Sequence, residues 1–397
     1  MVSQKIKETV SSPSSGVIRK MFEEGAILKK KYGDDKVFDF SIGNPDLDPP
    51  KKVFDAIKEI AADESHLRHG YMPNAGYPQT RQAMADKTAK EQGTGAIDFN
   101  NVVMSVGAAG ALNVTLKAIM NDGDNVIVPC PYFVEYDNYI KNAGGEIIRA
   151  KTTADFGLDA NEISNKLNEH TAAVIINSPN NPTGRIYTEE EIIKLTEVLK
   201  AHGKKTGRYP FLICDEPYRA ITYDGKKVAS VFDKYDYAII VTSFAKNLSL
   251  PGERIGYICI NPVCPEAKDF LANAIFVTRT LGFVNAPAFM QKVIAKSWDA
   301  ECDYSLYEKR CKEICEVMDY AGLKYVKPEG AFYLWVKCPD KYGDDDMAFV
   351  NHMKKYNILC APGGGFAGKG WFRIAYCCSE STILNSKEAF KKAVEEC

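Results

Sequence analysis

The chain has 397 residues, of which 45% are hydrophobic and 26% are charged, and its formal net charge at pH 7 is −2. This length suits one large domain with a smaller one, and the composition is that of an ordinary globular protein. The near-neutral charge excludes the strong positive field of a protein that gathers nucleic acid or anionic membrane, and no apolar run approaches the roughly 20 residues that span a bilayer. The N-terminus is polar and lacks the apolar core of a signal peptide, so we predict a cytoplasmic protein without nucleic-acid or membrane partners.

Twelve cysteines and five histidines raise the question of a metal site or of disulfides. The cysteines are scattered and form no C-x-x-C pair, and the histidines do not join them at zinc-ligand spacings. We therefore expect no metal site, and we expect reduced thiols that pack as small apolar side chains.

The segment at residues 1–46 shows no strand with a partner of its own, so we expect it to pack with the small domain that the C-terminal part of the chain forms. Within it, "SSPSSG" at residues 11–16 is typical of a short turn. The following "GVIRKMF" supplies apolar side chains that suit a lid over a binding site.

Residues 100–260 alternate short β-branched runs with amphipathic helical stretches. Seven runs predict strands: "NVVMSV", "NVIVP", "EIIRA", "AAVIIN", "PFLICDE", "YAIIVT" and "IGYICI". Because these runs are apolar nearly throughout and helical patterns separate most of them, we predict an α/β fold whose mostly parallel sheet is covered on both faces. Ligands of such sheets bind at the carboxyl ends of the strands.

From about residue 286 the pattern changes to a long helical stretch over residues 286–322, followed by short strand-like runs and further helices. This order predicts a small α+β domain. We therefore expect a lid segment at residues 1–46, a large domain at residues 47–285 and a small domain at residues 286–397.

Small, aromatic or amide residues follow three of the predicted strands. "GAAGAL" after the first run puts small residues at the start of a helix, where free N–H groups suit a phosphate, although tight packing also explains such a loop. Phe133 follows the second run and can stack on a flat ring or belong to the core. Asn181, in the rigid turn "SPNNPTGRIY", can donate to a ligand, or the turn can be purely structural.

Charged residues follow the fifth and sixth runs, in "DEPY" and "SFAKNLSLPGERIGY". Asp215 ends an apolar strand, so it needs a cationic partner such as a protonated ring nitrogen, unless it caps the next turn. Tyr218 can present its phenol to the same place. Ser243 and Arg254 can hold a phosphate, and Lys246 between them can form a Schiff base with an aldehyde. An aldehyde, a phosphate, a flat ring and a basic ring nitrogen together describe pyridoxal phosphate.

The chain resembles the class I and II aminotransferases, which are fold-type-I pyridoxal-phosphate enzymes similar to aspartate aminotransferase. The resemblance runs from "SIGNPD" to "FRIAY", with "NNPTG", "DEPY" and "SFAKNLSLPGERIGY" in family order. It implies a seven-stranded sheet and these cofactor contacts: Lys246 as the Schiff-base lysine, Asp215 at the ring nitrogen, Asn181 and Tyr218 at the ring hydroxyl, Phe133 on the ring face, and Ala108, Ala109, Ser243 and Arg254 at the phosphate.

The same resemblance implies a reaction and an assembly. An amino group passes between an L-amino acid and a 2-oxo acid by a ping-pong mechanism, with Lys246, Asp215 and Tyr218 as the catalytic residues. The substrate is held by Gly43, Asn181 and Arg373. Tyr71 in "GYMPNAGY" is similar to a tyrosine that reaches the phosphate of the neighbouring subunit, which implies a homodimer with shared active sites.

The chain departs from the family in the residues that set the substrate side chain. Relatives that prefer dicarboxylic amino acids have a lysine in the loop corresponding to "GAAGAL", where this chain has Ala109, or an arginine that "VNAPAFMQK" lacks. Arg279 and Arg19 can substitute, although each also fits a surface charge. We therefore expect a neutral or aromatic amino acid to be used at least comparably to aspartate.

Three other functions compete with this one. A carbon–sulfur β-lyase uses the same lysine and differs only in the geometry of its substrate pocket. A non-catalytic, ligand-sensing regulator would need a DNA-binding module, for which about 40 residues before "SIGNPD" are too few. A nicotinamide-binding oxidoreductase would need the G-x-G-x-x-G fingerprint, which the sequence lacks.

Overall fold

The computed structural model describes residues 2–11, 17–95 and 97–397, so the predicted turn at residues 11–16 lies, apart from its first residue, outside the described residues. The strands are, in chain order, β1 (Phe38–Asp39), β2 (Val102–Ser105), β3 (Asn125–Cys130), β4 (Glu146–Lys151), β5 (Thr171–Asn177), β6 (Phe211–Asp215), β7 (Ala238–Ser243), β8 (Gly256–Ile260), β9 (Tyr325–Val326), β10 (Tyr333–Lys337), β11 (Ile358–Leu359), β12 (Ala361–Pro362) and β13 (Trp371–Ala375). The α-helices are α1 (Gln4–Ser11), α2 (Val17–Tyr32), α3 (Lys51–Ala61), α4 (Pro78–Gln92), α5 (Gly107–Ile119), α6 (Tyr136–Asn142), α7 (Ala160–Lys166), α8 (Glu189–Thr206), α9 (Ala267–Thr280), α10 (Ala288–Ser297), α11 (Ser305–Ala321), α12 (Asp346–Met353), α13 (Glu380–Asn385) and α14 (Lys387–Glu395). Within the described ranges, no helix combines the length and the apolar character needed to cross a membrane.

The seven predicted runs form one sheet, in the order β2-β8-β7-β6-β5-β3-β4. Strand β8 is antiparallel to β2 and β7 and the other neighbours are parallel, so the predicted mostly parallel sheet is confirmed. Alternate side chains enter different cores: Val174 and Ile176 of β5 pack in one, and Ala173 and Ile175 in the other. Because helices cover both faces, these strands are apolar at nearly every position.

The direction of β8 brings one further loop to the edge where its neighbours end. The first residue of β8, Gly256, lies opposite Ser105 at the end of β2 and opposite Ser243 at the end of β7. A Cβ on Gly256 would lie 2.9 Å from the carbonyl carbon of Gly107, so glycine is needed where β8 passes the start of α5. The loop before β8, which carries Arg254, therefore reaches the same edge as the strand ends.

Helix α8 shows how the sequence sets the helical layers. Thr188 accepts a hydrogen bond from the backbone of Glu191, whose carboxylate in turn accepts from the backbone of Thr188. This reciprocal cap begins the helix, and Gly207 at φ 79° ends it in the left-handed conformation that glycine adopts without strain. The helical stretch predicted between the fourth and fifth strand runs thus has defined start and stop signals.

The C-terminal part of the chain forms a second sheet, in the order β12-β13-β10-β9, with antiparallel pairing throughout. Helices α11, α12 and α14 pack with this sheet around an apolar core that also contains Met21, Phe40 and Tyr218 from earlier in the chain. Strand β13 matters most for the site, because it carries Arg373 opposite Trp335 of β10.

The predicted continuous helical stretch over residues 286–322 is wrong, because α10 ends before residue 298 and α11 begins at residue 305. Between the two helices Cys302 is buried, and the hydroxyl of Tyr304 donates to the backbone oxygen of Asn247 at 2.7 Å. Asp303 accepts from the backbone and hydroxyl of Ser305 at the start of α11. These contacts with other parts of the chain outweigh the local helical preference.

The N-terminal segment contains a strand that the sequence pattern did not reveal. Phe38 and Asp39 of β1 pair in parallel with Ile358 and Leu359 of β11, and Phe40 donates to the backbone oxygen of Leu359 at 2.8 Å. The expectation that this segment has no strand partner is therefore wrong. A two-residue strand is too short to show a period in the sequence. The domain limits at residues 46 and 285 stay predictions.

Candidate active site

Five strands end side by side and place most of the predicted residues at one edge of the sheet. Strands β2, β7, β6, β5 and β3 run in the same direction. Asp215 and Ser243 are the last residues of β6 and β7, and both are buried. Asn181 follows β5 and is also buried, while Ala108 and Ala109 lie in the first turn of α5 after β2. These five residues therefore lie together at the edge of the sheet where the strands end.

Lys246 lies in an apolar, partly buried position after β7. Its Nζ donates to the backbone oxygen of Gly43 at 2.7 Å and lies 5.5 Å from the ring centroid of Phe332 and 6.0 Å from that of Tyr218. Burial lowers the pKa of Lys246 from 10.5 to about 8, because it penalises the ammonium form. A substantial fraction of this amine is therefore neutral near physiological pH, as a nucleophile or general base must be.

Asp215 is a buried carboxylate with one oxygen satisfied and one oxygen free. Its Oδ2 accepts from the hydroxyl of Tyr136 at 2.5 Å, whereas its Oδ1 is buried and has no hydrogen-bond partner among the described residues. Burial raises the pKa of Asp215 to about 7, and the hydrogen bond from Tyr136 opposes that rise. An orphan buried carboxylate oxygen fits a cationic N–H group of a ligand, so the site fits a protonated pyridine ring.

Arg373 is a buried guanidinium whose hydrogen bonds all go to neutral oxygens. Its Nη1 donates to Oδ1 of Asn181 at 3.0 Å and its Nη2 to the backbone oxygen of Ser41 at 2.8 Å, while its Nε is buried without a partner in the part of the chain that the structure describes. The guanidinium lies 4.5 Å from the ring centroid of Tyr333 and 4.8 Å from that of Phe366. Because a buried cation without a carboxylate is costly, this arrangement suits an anionic ligand group.

Tyr218 and Tyr333 share a hydrogen bond of 2.8 Å between their hydroxyls, and both side chains are buried. Burial raises the pKa of Tyr218 above its ordinary value, so its phenol is neutral. Gly43 lies against the same pair, since a Cβ there would overlap the hydroxyl of Tyr333. Only glycine lets the backbone approach these phenols, which explains how the N-terminal segment reaches Lys246.

The start of α5 and Arg254 form a second, more open part of the site. No side chain caps the N-terminus of α5, so its first N–H groups are available to an anion. A Cβ on Gly107 would lie 2.8 Å from Nη2 of Arg254, so the guanidinium rests against this turn. Arg254 is exposed and donates to the backbone oxygen of Pro251 at 2.9 Å. The combination suits a phosphate.

The remaining predicted residues are Phe133, Tyr71, Arg279 and Arg19. Phe133 is partly buried and meets the ring of Tyr136 edge to face, with centroids 5.6 Å apart. Tyr71 is 91% exposed. Arg279 is exposed and stacks its guanidinium 5.4 Å from the ring centroid of Phe276. The side chain of Arg19 lies outside the described part of the chain.

A family model for aminotransferases of class I and II matches residues 35–390. The chain belongs to this family. Among curated proteins, a probable aspartate/prephenate aminotransferase of Aquifex aeolicus is 33% identical and covers 91% of each chain. Aromatic-amino-acid aminotransferase 2 of Thermococcus litoralis is 28% identical and covers 96% of this chain and 95% of the relative. An aminotransferase structure from Eubacterium rectale aligns with 100% of this chain and 99% of its own, with a TM-score of 0.94 and 37% identity.

The protein is therefore a pyridoxal-phosphate-dependent aminotransferase, an enzyme that exchanges an amino group between an amino acid and a 2-oxo acid. The predictions of fold, enzyme class and cofactor are confirmed. The residues present fit the cofactor, because the free Oδ1 of Asp215 and the uncapped turn of α5 match its ring nitrogen and its phosphate in chemistry.

Two tyrosines of the aminotransferase site were not predicted from the sequence. The hydroxyl of Tyr136 donates a hydrogen bond to Asp215. The hydroxyl of Tyr333 is hydrogen-bonded to that of Tyr218, and the guanidinium of Arg373 lies over the ring of Tyr333. Tyr136 follows Phe133 by three residues at the start of α6, and Tyr333 lies in the alternating run "AFYLWV", so both spacings were visible. Neither spacing shows which side of its element meets the strand ends, which depends on tertiary packing.

Proposed function

We propose that this aminotransferase acts on L-amino acids with neutral side chains, and that Lys246, Asp215 and Arg373 carry its reaction. The observation that carries the proposal is Lys246 itself, a partly buried amine whose pKa burial lowers to about 8. It lies in contact with Gly43, in the same site as the buried guanidinium of Arg373. A titratable amine beside an anion-binding group is what proton transfer at the α-carbon of an amino acid requires.

Pyridoxal phosphate, when bound, supplies an aldehyde that bonds covalently to amines and a ring that accepts electrons. Lys246 would hold the aldehyde carbon, and Oδ1 of Asp215 would accept a hydrogen bond from the protonated ring nitrogen. Asn181 and the phenol of Tyr218 would contact the ring hydroxyl, and Phe133 would cover one face of the ring. The free N–H groups at Ala108 and Ala109, together with Ser243 and Arg254, would hold the phosphate.

Lys246 moves a proton in this proposal, and Arg373 decides where that proton is taken from. Once the substrate's own amino group has replaced it, the Nζ of Lys246 would be a free neutral amine that can take the α-proton of the amino acid, and as an ammonium it would deliver that proton to the carbon it had held. Arg373 grips the α-carboxylate through its planar fork, helped by Asn181 and the backbone at Gly43. This grip orients the Cα–H bond toward the amine, and a second 2-oxo acid then runs the sequence in reverse.

The proposed preference for neutral side chains rests on Ala109 and on where the arginines lie. Ala109, in the first turn of α5, offers no charge to a second substrate carboxylate. Arg279 is exposed and already stacked on Phe276. A buried carboxylate without a cation costs several kcal/mol, so aspartate gains little from this site.

We also propose a homodimer in which Tyr71 completes the neighbouring active site. Leu67 and Tyr71 are 73% and 91% exposed, and Leu281 is 44% exposed. Their loops lie together, because Asn74 donates to the backbone oxygen of Val284 at 3.0 Å. A cluster of large apolar side chains left in water is typical of a surface that binds another subunit. A cytoplasmic location remains a prediction from composition.

Half-reactions with a panel of amino acids test the proposal. Each amino acid is mixed with the yellow enzyme. The loss of absorbance at the cofactor's visible band measures the conversion of that amino acid to its 2-oxo acid. Alanine, methionine and phenylalanine are expected to convert the cofactor fully, with little ammonia released. An S-substituted cysteine, which carries a β-leaving group, is tested separately, and release of a thiol, pyruvate and ammonia in amounts equal to the substrate consumed would show β-elimination instead.

A further inference from the structure

Tyr136 makes the single direct hydrogen bond to the carboxylate of Asp215 that the described residues provide. It is the first residue of α6, and its side chain is fully buried. Its hydroxyl donates to Oδ2 of Asp215 at 2.5 Å, while Oδ1 keeps no partner. The backbone of Asp215 is fixed separately, since Asn177 donates from its amide to the backbone oxygen at 2.8 Å. The hydroxyl of Tyr136 therefore decides which carboxylate oxygen stays available.

Neighbouring aromatic side chains hold the ring of Tyr136 in place. Its ring stacks on that of Tyr132, with centroids 6.2 Å apart and planes 8° apart, and meets the edge of Phe133 at 5.6 Å. Tyr132 is fixed in turn, because its hydroxyl donates to Asp137 at 2.6 Å and accepts from Nε of Arg149 at 2.8 Å. The stack connects the residue proposed to cover the cofactor ring with the residue proposed to bind its nitrogen.

We infer that Tyr136 is a positioning residue that fixes the carboxylate of Asp215 through Oδ2 and so leaves Oδ1 free for the ring nitrogen of the cofactor. This inference rests on the role of Asp215 in the proposed function. In this role Tyr136 acts through Asp215 on how tightly the ring nitrogen of the cofactor is bound, and it does not contact the substrate.

The surroundings of Asp215 explain why a neutral donor has this effect. The titratable groups that face it are Tyr136 and Tyr139 of α6, Tyr218 of the following loop and Cys214 of its own strand, and burial raises the pKa of each. All four are uncharged at neutral pH. Burial alone pushes the carboxyl toward its protonated form, and the hydrogen bond from Tyr136 lowers the pKa of Asp215 against that push. Without the bond, the pKa of Asp215 would be higher still, and a proton would compete more strongly with the ring nitrogen for the carboxylate.

The test compares two ligands on the full-length chain after removal of its cofactor. One ligand is pyridoxal phosphate, and the other is its 1-deaza analogue, in which a C–H group replaces the ring nitrogen. Dissociation constants are measured at pH 7.5 by fluorescence titration for the wild type, Tyr136→Phe and the control Tyr139→Phe. The control removes a phenol from the same helix that takes no part in the bond to Asp215.

Tyr136→Phe is expected to weaken the binding of pyridoxal phosphate about tenfold and to change the affinity for the deaza analogue less than about twofold. Tyr139→Phe should leave both affinities within about twofold. The deaza analogue also reports folding, because it needs the same phosphate site. Equal weakening of both ligands by Tyr136→Phe, or no weakening of either, overturns the inference. A wild type that does not prefer pyridoxal phosphate over the analogue overturns the proposed role of Asp215 instead.

Discussion

Lys246 donates a 2.7 Å hydrogen bond from Nζ to the backbone oxygen of Gly43, 203 residues earlier in the chain. The contact joins the loop after β7 to the N-terminal segment, whose strand β1 pairs with β11 in a separate two-stranded sheet. Because Gly43 has no side chain, its backbone also fits under the hydroxyl of Tyr333. The proposed reactive amine and the proposed carboxylate site are thus held by one short stretch of backbone.

Lys246 is expected to be the residue that bonds the cofactor. The purified protein should be yellow, and borohydride reduction should fix the cofactor on the peptide that contains Lys246, as read by mass spectrometry. Lys246→Ala should lose transamination by several orders of magnitude, because it removes both the nucleophile and the proton carrier. The exposed Lys200→Ala serves as the control and should keep full activity. A label on another lysine would contradict the assignment.

The lowered pKa of Lys246 predicts how the stability of the cofactor-free chain depends on pH. The pKa falls from 10.5 in the unfolded chain to about 8 in the folded chain, so the buried ammonium destabilises the fold below pH 8. This penalty fades as the pH rises from 8 to 10.5, where the unfolded chain binds more protons than the folded one. Lys246→Met removes the charge at similar volume and should raise the free energy of unfolding at pH 7 by roughly 1–3 kcal/mol.

Urea unfolding of both cofactor-free chains at pH 7 and at pH 10.5 measures this difference. The gain from Lys246→Met should shrink at the higher pH. A gain of the same size at both values would show that packing, not charge, separates the two chains.

The sequence predicts the large sheet and its strand ends well, because each strand is a short apolar run and the chemistry follows directly after it. Asp215, Ser243 and Asn181 could be placed at one edge from the parallel arrangement alone. Arg254 reaches that edge because β8 runs the other way, which no local pattern shows. Its role at the phosphate was predicted from the segment "SFAKNLSLPGERIGY" and from the family resemblance.

What the sequence could not predict depends on contacts between distant parts of the chain. Tyr136 and Asp215 are 79 residues apart, and Tyr218 and Tyr333 are 115 residues apart, so their hydrogen bonds leave no periodic signal. The interruption between α10 and α11 has the same origin, since the hydroxyl of Tyr304 is bound by the backbone of Asn247. Local preference favours helix there, and packing decides otherwise.

Arg373 is expected to be specific for the α-carboxylate of the substrate. Arg373→Lys keeps the charge but loses the planar fork, so kcat/KM for amino acids should fall by about a hundredfold or more. Amines without an α-carboxylate should react at similar slow rates with both enzymes, which provides the internal control. An equal loss with amines and amino acids would indicate general damage to the site.

Tyr71 is expected to act across a dimer interface. The protein should sediment as a dimer, and Tyr71→Phe should raise the dissociation constant of pyridoxal phosphate by about tenfold, the effect of one hydrogen bond to a charged group. The exposed Tyr32→Phe is a matched control, since Tyr32 lies at the end of α2 and not in the loop that carries Tyr71. Full activity in a monomer would contradict the shared site.

Ala109 is expected to decide between neutral and acidic substrates. Because nothing in the first turn of α5 neutralises a second carboxylate, kcat/KM for aspartate should not exceed that for alanine, methionine or phenylalanine. Ala109→Lys adds a cation to that turn and should raise kcat/KM for aspartate about tenfold or more while leaving phenylalanine unchanged or weaker. Arg279→Ala is the control, because an exposed, stacked arginine should not affect any substrate. A wild-type preference for aspartate of roughly a hundredfold, nearly 3 kcal/mol, would reveal an ion-pairing residue elsewhere, and a loss of that preference in Arg279→Ala would identify it.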